Sequence, residues 1–127
     1  MSSHQTVMWI DHHEARIFRV DAGTVDAEAI RAPQRHVHRH PKGPTAEHNH
    51  PDDMHRFFHD VAQALEGADE ILIVGPSTAK LQFLKYVHKQ AETLEAKIVG
   101  IETVDHPTDG QLVAHAKHYF GIPDRQR

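Results

Sequence analysis

The sequence predicts a mixed α/β domain in which an antiparallel meander precedes parallel strands linked by helices. Three observations carry this. Short apolar runs separated by turn residues fill the first third of the chain, and apolar residues recur at helical spacing from Met54 onward. Between two such helical patterns, the continuous apolar run Ile71-Leu-Ile-Val74 passes through Gly75-Pro76 into the second of them.

Taken in order, Thr6-Val-Met-Trp-Ile10 meets the polar group Asp11-His12-His13-Glu14, and Ala15 to Val20 returns as a second strand, so the pair reads as a hairpin. Asp21-Ala-Gly-Thr24 forms the next turn. It leads to Val25-Asp-Ala-Glu-Ala-Ile30, whose two-residue alternation is that of a half-exposed strand. Residues 33–50 are polar, proline-bearing and rich in histidine, which predicts a flexible loop. Pro51-Asp52-Asp53 suits a helical first turn, and Met54, Phe57, Phe58, Val61 and Leu65 follow on one face until Gly67 stops the pattern. Ile71 to Val74 reads as a strand covered on both faces. The helix after Gly75 is expected to turn Leu81, Leu84 and Val87 inward, with Phe83 beside them. Lys97 to Val104 is the next strand. Asp105-His-Pro-Thr-Asp-Gly110 opens a last helix capped by Thr108, with Leu112, Val113, Ala116, Tyr119 and Phe120 at helical spacing, and the tail from Gly121 should fray.

The resulting order, β-β-β-α-β-α-β-α, is that of the ribonuclease H-like fold. Right-handed crossovers place the fourth strand beside the first and the fifth beyond it, with helices on both faces of a mixed sheet. The carboxyl ends of strands one, four and five then share an edge. Asp11 and His12, the segment Gly75 to Lys80, and Asp105, His106 and Asp109 converge there, on the edge that ligand sites of open α/β sheets favour.

Composition narrows the function. A chain of 127 residues holds one domain with a single core. The absence of cysteine excludes disulfides, thiolate metal sites and cysteine nucleophiles. No signal peptide and no apolar run long enough to span a bilayer is present, so a cytoplasmic protein without a membrane partner is expected. The net charge of −4 lacks the basic excess of a protein that coats nucleic acid, so DNA is not an expected partner and RNA contact would be a local patch. The 14 histidines move the charge from −4 toward +10 if all are protonated. That change is centred near pH ~6.5.

Four groups of residues carry candidate chemistry. Gly75, Ser77, Thr78 and Lys80 form a strand-to-helix turn, where unpaired backbone N–H groups and the helix dipole favour a phosphate oxygen and Lys80 adds a point charge. The alternative is that Ser77 or Thr78 only caps the helix and Lys80 is a solvated surface residue. The spacing G-x-x-x-x-G-K-[ST] of a nucleotide-binding loop is absent. Second, Arg31, Arg35, Arg39 and Lys42, joined by protonated imidazoles, would make a basic arm for RNA phosphates; the alternative is a solvated loop. Third, His36, His38 and His40, then His48 and His50, alternate at a spacing that shares one side of an extended segment, and His55 and His59 lie one helical turn apart. Neutral imidazoles of this kind suit zinc or nickel, physiologically or only on a nickel resin. Fourth, Asp11 and Asp105 at the strand ends would be candidate magnesium ligands of a nuclease, although the fourth strand's tip offers no acid. No catalytic nucleophile stands out.

The opening hairpin Trp9-Ile-Asp-His-His-Glu-Ala-Arg-Ile-Phe18, the basic loop ahead of the first helix, Ile73-Val-Gly-Pro-Ser-Thr-Ala-Lys80, and Glu102-Thr-Val-Asp-His-Pro-Thr-Asp-Gly-Gln111 occur in a telling order and spacing. Together, over residues 6–120, they resemble the central domain of the archaeal and eukaryotic class-1 release factors and of Pelota, the related ribosome-rescue factor. More closely, the chain is similar to small stand-alone bacterial relatives described as translational machinery proteins. The resemblance implies a ribonuclease H-like domain without nuclease activity whose partner is the ribosome or RNA. In the eukaryotic release factors the loop before the first helix carries Gly-Gly-Gln, which triggers peptidyl-tRNA hydrolysis. Here the corresponding segment reads Pro41-Lys-Gly-Pro-Thr-Ala-Glu-His48 and the tripeptide occurs nowhere in the chain, so peptide release is not expected. The expectation is a non-enzymatic translation-associated factor, with no cofactor unless the histidine cluster holds zinc or nickel. The alternative is a metal-binding protein or metal-dependent nuclease or hydrolase. The sequence leaves the oligomeric state open.

Overall fold

Strand β1 (Gln5–Ile10) takes the middle of a five-stranded sheet because both of its faces are apolar, Val7 and Trp9 on one and Met8 and Ile10 on the other. The computed structural model describes residues 5–21, 23–33 and 51–123. β2 (Glu14–Val20) pairs antiparallel with β1, setting Trp9 opposite Arg16 and Ile10 opposite Ala15. β3 (Val25–Arg31) pairs antiparallel with β2 at one edge of the sheet. β4 (Glu70–Gly75) lies parallel to β1 on its other side, and β5 (Ile98–Thr103) lies parallel to β4, giving the order β3-β2-β1-β4-β5. The mixed α/β architecture read from the sequence is therefore present, with the fourth strand beside the first.

Helices cover both faces. α1 (Pro51–Leu65), α2 (Ala79–Gln90) and the short α3 (Glu92–Glu95) enclose one core with Met8, Ile10, Ile17, Ile71 and Ile73; α4 (Asp109–Phe120) closes the other over Val7, Trp9, Phe18, Leu72 and Val74. Alternation along β1 and β4 thus feeds two cores at once. Phe57, Phe58, Val61 and Leu65 of α1 are buried as their spacing requires. Among the described residues, no helix is long and apolar enough to cross a membrane.

The structure departs from the sequence expectation in four places. β3 is exposed along nearly its whole length, because it is an edge strand whose faces carry only Ala, Asp and Glu between Val25 and Ile30. In α2 the buried residues are Ala79, Lys80, Phe83 and Val87, whereas Leu81 is 50% exposed. The helix begins at Ala79, and its inward stripe runs through Ala79, Phe83 and Val87 at successive turns, which rotates Leu81 outward. α3 adds a single turn between α2 and β5. Tyr119 is exposed rather than packed in the core; its hydroxyl donates to the Val99 carbonyl at 3.3 Å beside edge strand β5.

The start of α4 follows its sequence signature. The Thr108 hydroxyl accepts from the Gln111 backbone N–H at 3.1 Å while the Gln111 side chain accepts from the Thr108 N–H at 2.9 Å, a reciprocal capping box. Gly121 ends the helix in the left-handed conformation at φ 68°. Thr108→Ala is expected to cost about 1 kcal/mol in urea denaturation, the usual value of a cap.

Candidate functional site

The tips of β1, β4 and β5 meet at Gly75. A Cβ on this residue would fall deep inside the carbonyl oxygen of Ile10, so β1 and β4 come this close only because position 75 is glycine. The Gly75 carbonyl in turn accepts from the Val104 N–H at 3.0 Å, which ties in the end of β5. The chain then turns through half-buried Pro76 to the exposed residues Ser77 and Thr78. Thr78 occupies the N-cap position of α2, yet its hydroxyl makes no capping hydrogen bond; its carbonyl accepts from Leu81 and Gln82 at 2.9 and 3.0 Å.

Lys80 is not a solvated surface residue. It is only 6% exposed, and its ammonium donates to the Ser77 carbonyl at 2.7 Å. Among the described residues it forms no ion pair. The alkyl stem joins the inward face of α2 and the charge folds back to the turn, a placement in which a long cationic side chain buries its methylenes and keeps its head at the rim. The positive charge is therefore tied to the backbone of the turn at Ser77.

The neighbouring tips are held by specific contacts. Asp11 accepts from the backbone N–H groups of His13 and Glu14 at 2.8 and 2.9 Å, shaping the β1–β2 turn. His12 Nε2 lies 3.2 Å from Gln82 Oε1, which links that turn to the first turn of α2. On the other face, the Trp9 indole donates to the Asp105 carbonyl at 2.7 Å and packs 5.1 Å from the His106 ring. The Arg16 guanidinium stacks 4.6 Å over the indole, donates to Asp109 at 2.6 Å and reaches the Pro107 carbonyl at 3.4 Å. Trp9 and Arg16, directly opposite in the hairpin, thus clamp the loop between β5 and α4. Sequence reasoning did not single out this pair, although the hairpin register places the two residues together.

These contacts give each strand-end acid a partner. Asp11 shapes a turn, Asp109 answers Arg16, and exposed Asp105 lies 3.0 Å from His106. A second imidazole–carboxylate pair, His115 and Glu102 at 2.6 Å, was also not anticipated; His115 and His106 border a groove of about 490 Å³ floored by Val104, Pro107 and Leu112. Among the described residues no group of three or more His, Cys, Asp or Glu is placed to hold a metal ion. His55 and His59 both contact Tyr86, the first edge-on at 5.1 Å and the second at 3.5 Å from the hydroxyl. Burial, and then the Asp60 carboxylate, push the Tyr86 phenol above its ordinary pKa. Arg35, His36, His38, Arg39, His40, Lys42, His48 and His50 lie outside the described residues. Arg31, at the end of β3, is exposed.

The edge offers groups that can contact an anion. It presents two exposed hydroxyls at the start of a helix with a cation bonded to the Ser77 carbonyl, and among the described residues no hydrogen bond links Ser77 or Thr78 to a histidine or carboxylate.

No protein-family model matches the sequence, and no curated protein matches it either. The structure is similar to solved ones. Pelota from Archaeoglobus fulgidus superposes with a TM-score of 0.64 over 93% of this chain and 32% of its own, at 15% identity. Pelota from Thermoplasma acidophilum gives 0.62 over 91% and 32%, at 18% identity. An archaeal translation termination factor gives 0.57 over 89% and 33%, at 13% identity. The likeness is one of fold, and the chain spans about a third of the length of each of these proteins. The resemblance to Pelota and the release factors that the sequence motifs carry is thus matched by structural neighbours.

Proposed function

We propose that this chain is a bacterial ribonuclease H-like module equivalent to the central domain of Pelota and the class-1 release factors, acting in the cytoplasm as a non-enzymatic translation-associated factor. It binds the ribosome or RNA through phosphates at the turn from Gly75 to Lys80, supported by Arg35, Arg39 and Lys42. The observation that carries this proposal is the fold likeness to Pelota and to a translation termination factor over about nine-tenths of the chain. The exposed Ser77 and Thr78, with the Lys80 ammonium bonded to the Ser77 carbonyl, support the choice of turn, since a phosphate there would meet helix N–H groups and hydroxyl donors close to a positive charge.

The test uses a substitution that separates binding from folding. Thr78→Glu places a negative charge at the start of α2, where the helix dipole favours it, and at the same time repels phosphate. Its retention of ribosomal RNA on a filter is expected to fall about tenfold with thermal stability unchanged. Arg39→Ala is expected to reduce the slope of log affinity against log salt by about 1. Binding and salt slope unchanged in both variants would remove the assignment.

A further inference from the structure

The outer face of the α1–α2 layer carries an open groove of about 940 Å³ that the strand-end edge does not use. Its floor is apolar, formed by Met54 and Phe58 of α1 and by Leu81 and Leu84 of α2. Leu81 is 50% exposed there. Lys85 and Lys89 stand one and two turns beyond Leu81 on the same side of α2 and form no ion pair among the described residues. His55 also borders the groove, and His88 does so while held by Glu95 at 3.0 Å. Among the described residues, no acidic residue lines it. A solvated helix face would be expected to mix both signs of charge; this one offers apolar surface with cations along one rim.

From this charge pattern we infer that the groove receives an acidic amphipathic helix of a protein partner. The partner helix lays an apolar stripe between α1 and α2 and sets carboxylates against Lys85 and Lys89. The two lysines are spaced by one helical turn, which matches acidic residues at i and i+4 on a helix; a single-headed anionic amphiphile would satisfy one of them. The inference is independent of the phosphate-binding proposal, because neither lysine nor the groove floor belongs to the turn from Gly75 to Lys80.

The experiment titrates the whole chain with three labelled helical peptides of about 15 residues, sharing one leucine stripe and flanked by Glu, Gln or Lys, and follows anisotropy and amide chemical shifts. The Glu peptide is expected to bind saturably and to shift α1 and α2 resonances, with the Lys peptide at least tenfold weaker. The double variant Lys85→Glu/Lys89→Glu should invert that order. Leu81→Glu, an exposed position whose change spares the core, should abolish binding of the Glu peptide. Equal binding of all three peptides, no saturable binding of the Glu peptide, or failure of the double variant to invert the order would overturn the inference. So would concentration-dependent self-association that Leu81→Glu removes, since the occupant would then be a second copy. Preferential binding of fatty-acid micelles over the Glu peptide, displaced by neither lysine change, would overturn it as well.

Discussion

Gly75→Ala is expected to destabilise the domain by roughly 3 kcal/mol, at the upper end of the cost of overpacking. The atom that a new methyl would meet is the Ile10 carbonyl oxygen, a backbone group in the central strand that cannot rotate aside. Relief requires β1 and β4 to separate at their tips, which also strains the Gly75 carbonyl's bond to Val104. A loss of this size is a large share of the ~5–15 kcal/mol that holds a domain together, and Gly75→Val should leave much of the chain unfolded at ambient temperature. Gly110 supplies the control: a Cβ there meets only the Thr108 hydroxyl at 4.0 Å, within the first turn of α4. Gly110→Ala should be neutral or stabilise by up to ~1 kcal/mol. Urea midpoints of the two variants check both; a silent Gly75→Ala would mean that the glycine does not serve packing.

Trp9→Ala should cost about 3–5 kcal/mol, as expected for a large aromatic removed from a core. Trp9 is 1% exposed and is among the largest fully buried side chains, filling the space between the sheet and α4. Its removal also orphans the Asp105 carbonyl and takes away the surface on which Arg16 rests, so the loop from Val104 to Thr108 loses its clamp. Trp9→Phe restores most of the packing but not the donor, and is expected to cost about 1–2 kcal/mol. Because Trp9 is the sole tryptophan, Arg16→Ala can be read from its indole emission, which should shift to the red as water reaches the ring. A loss below about 1 kcal/mol in Trp9→Ala would contradict the core role assigned to this residue.

The sequence was most legible where one local signal decided the outcome. The hairpin, α1 and the capped start of α4 are each marked by periodicity or by a cap; Ile71 to Val74 reads as a doubly covered strand, and right-handed crossovers place it beside β1. It was least legible where tertiary contact set a rotation. In α2, the spacing marks Leu81 as core and Lys80 as a phosphate contact or a solvated surface residue; the structure exposes Leu81 and buries Lys80, because the inward stripe runs through Ala79, Phe83 and Val87. α3 is too short to leave a periodic signal. At the candidate site, the convergence of the strand tips was predictable from topology, while the uses of their side chains were not. Asp11 and Asp109 appeared free as sequence; their partners are backbone N–H groups across a turn and an arginine 93 residues away. The first is a local turn contact, whereas only register and packing bring Arg16 to Asp109.

Co-sedimentation of the untagged protein with ribosomes on a sucrose gradient, at low and moderate salt and near pH 6 and 7.5, bears most directly on a role in translation. Association is expected that weakens with salt, strengthens at the lower pH as imidazoles gain charge, and is lost in Thr78→Glu while the variant remains folded. Absence of association under all four conditions would contradict the proposed function and leave the likeness to Pelota as one of fold.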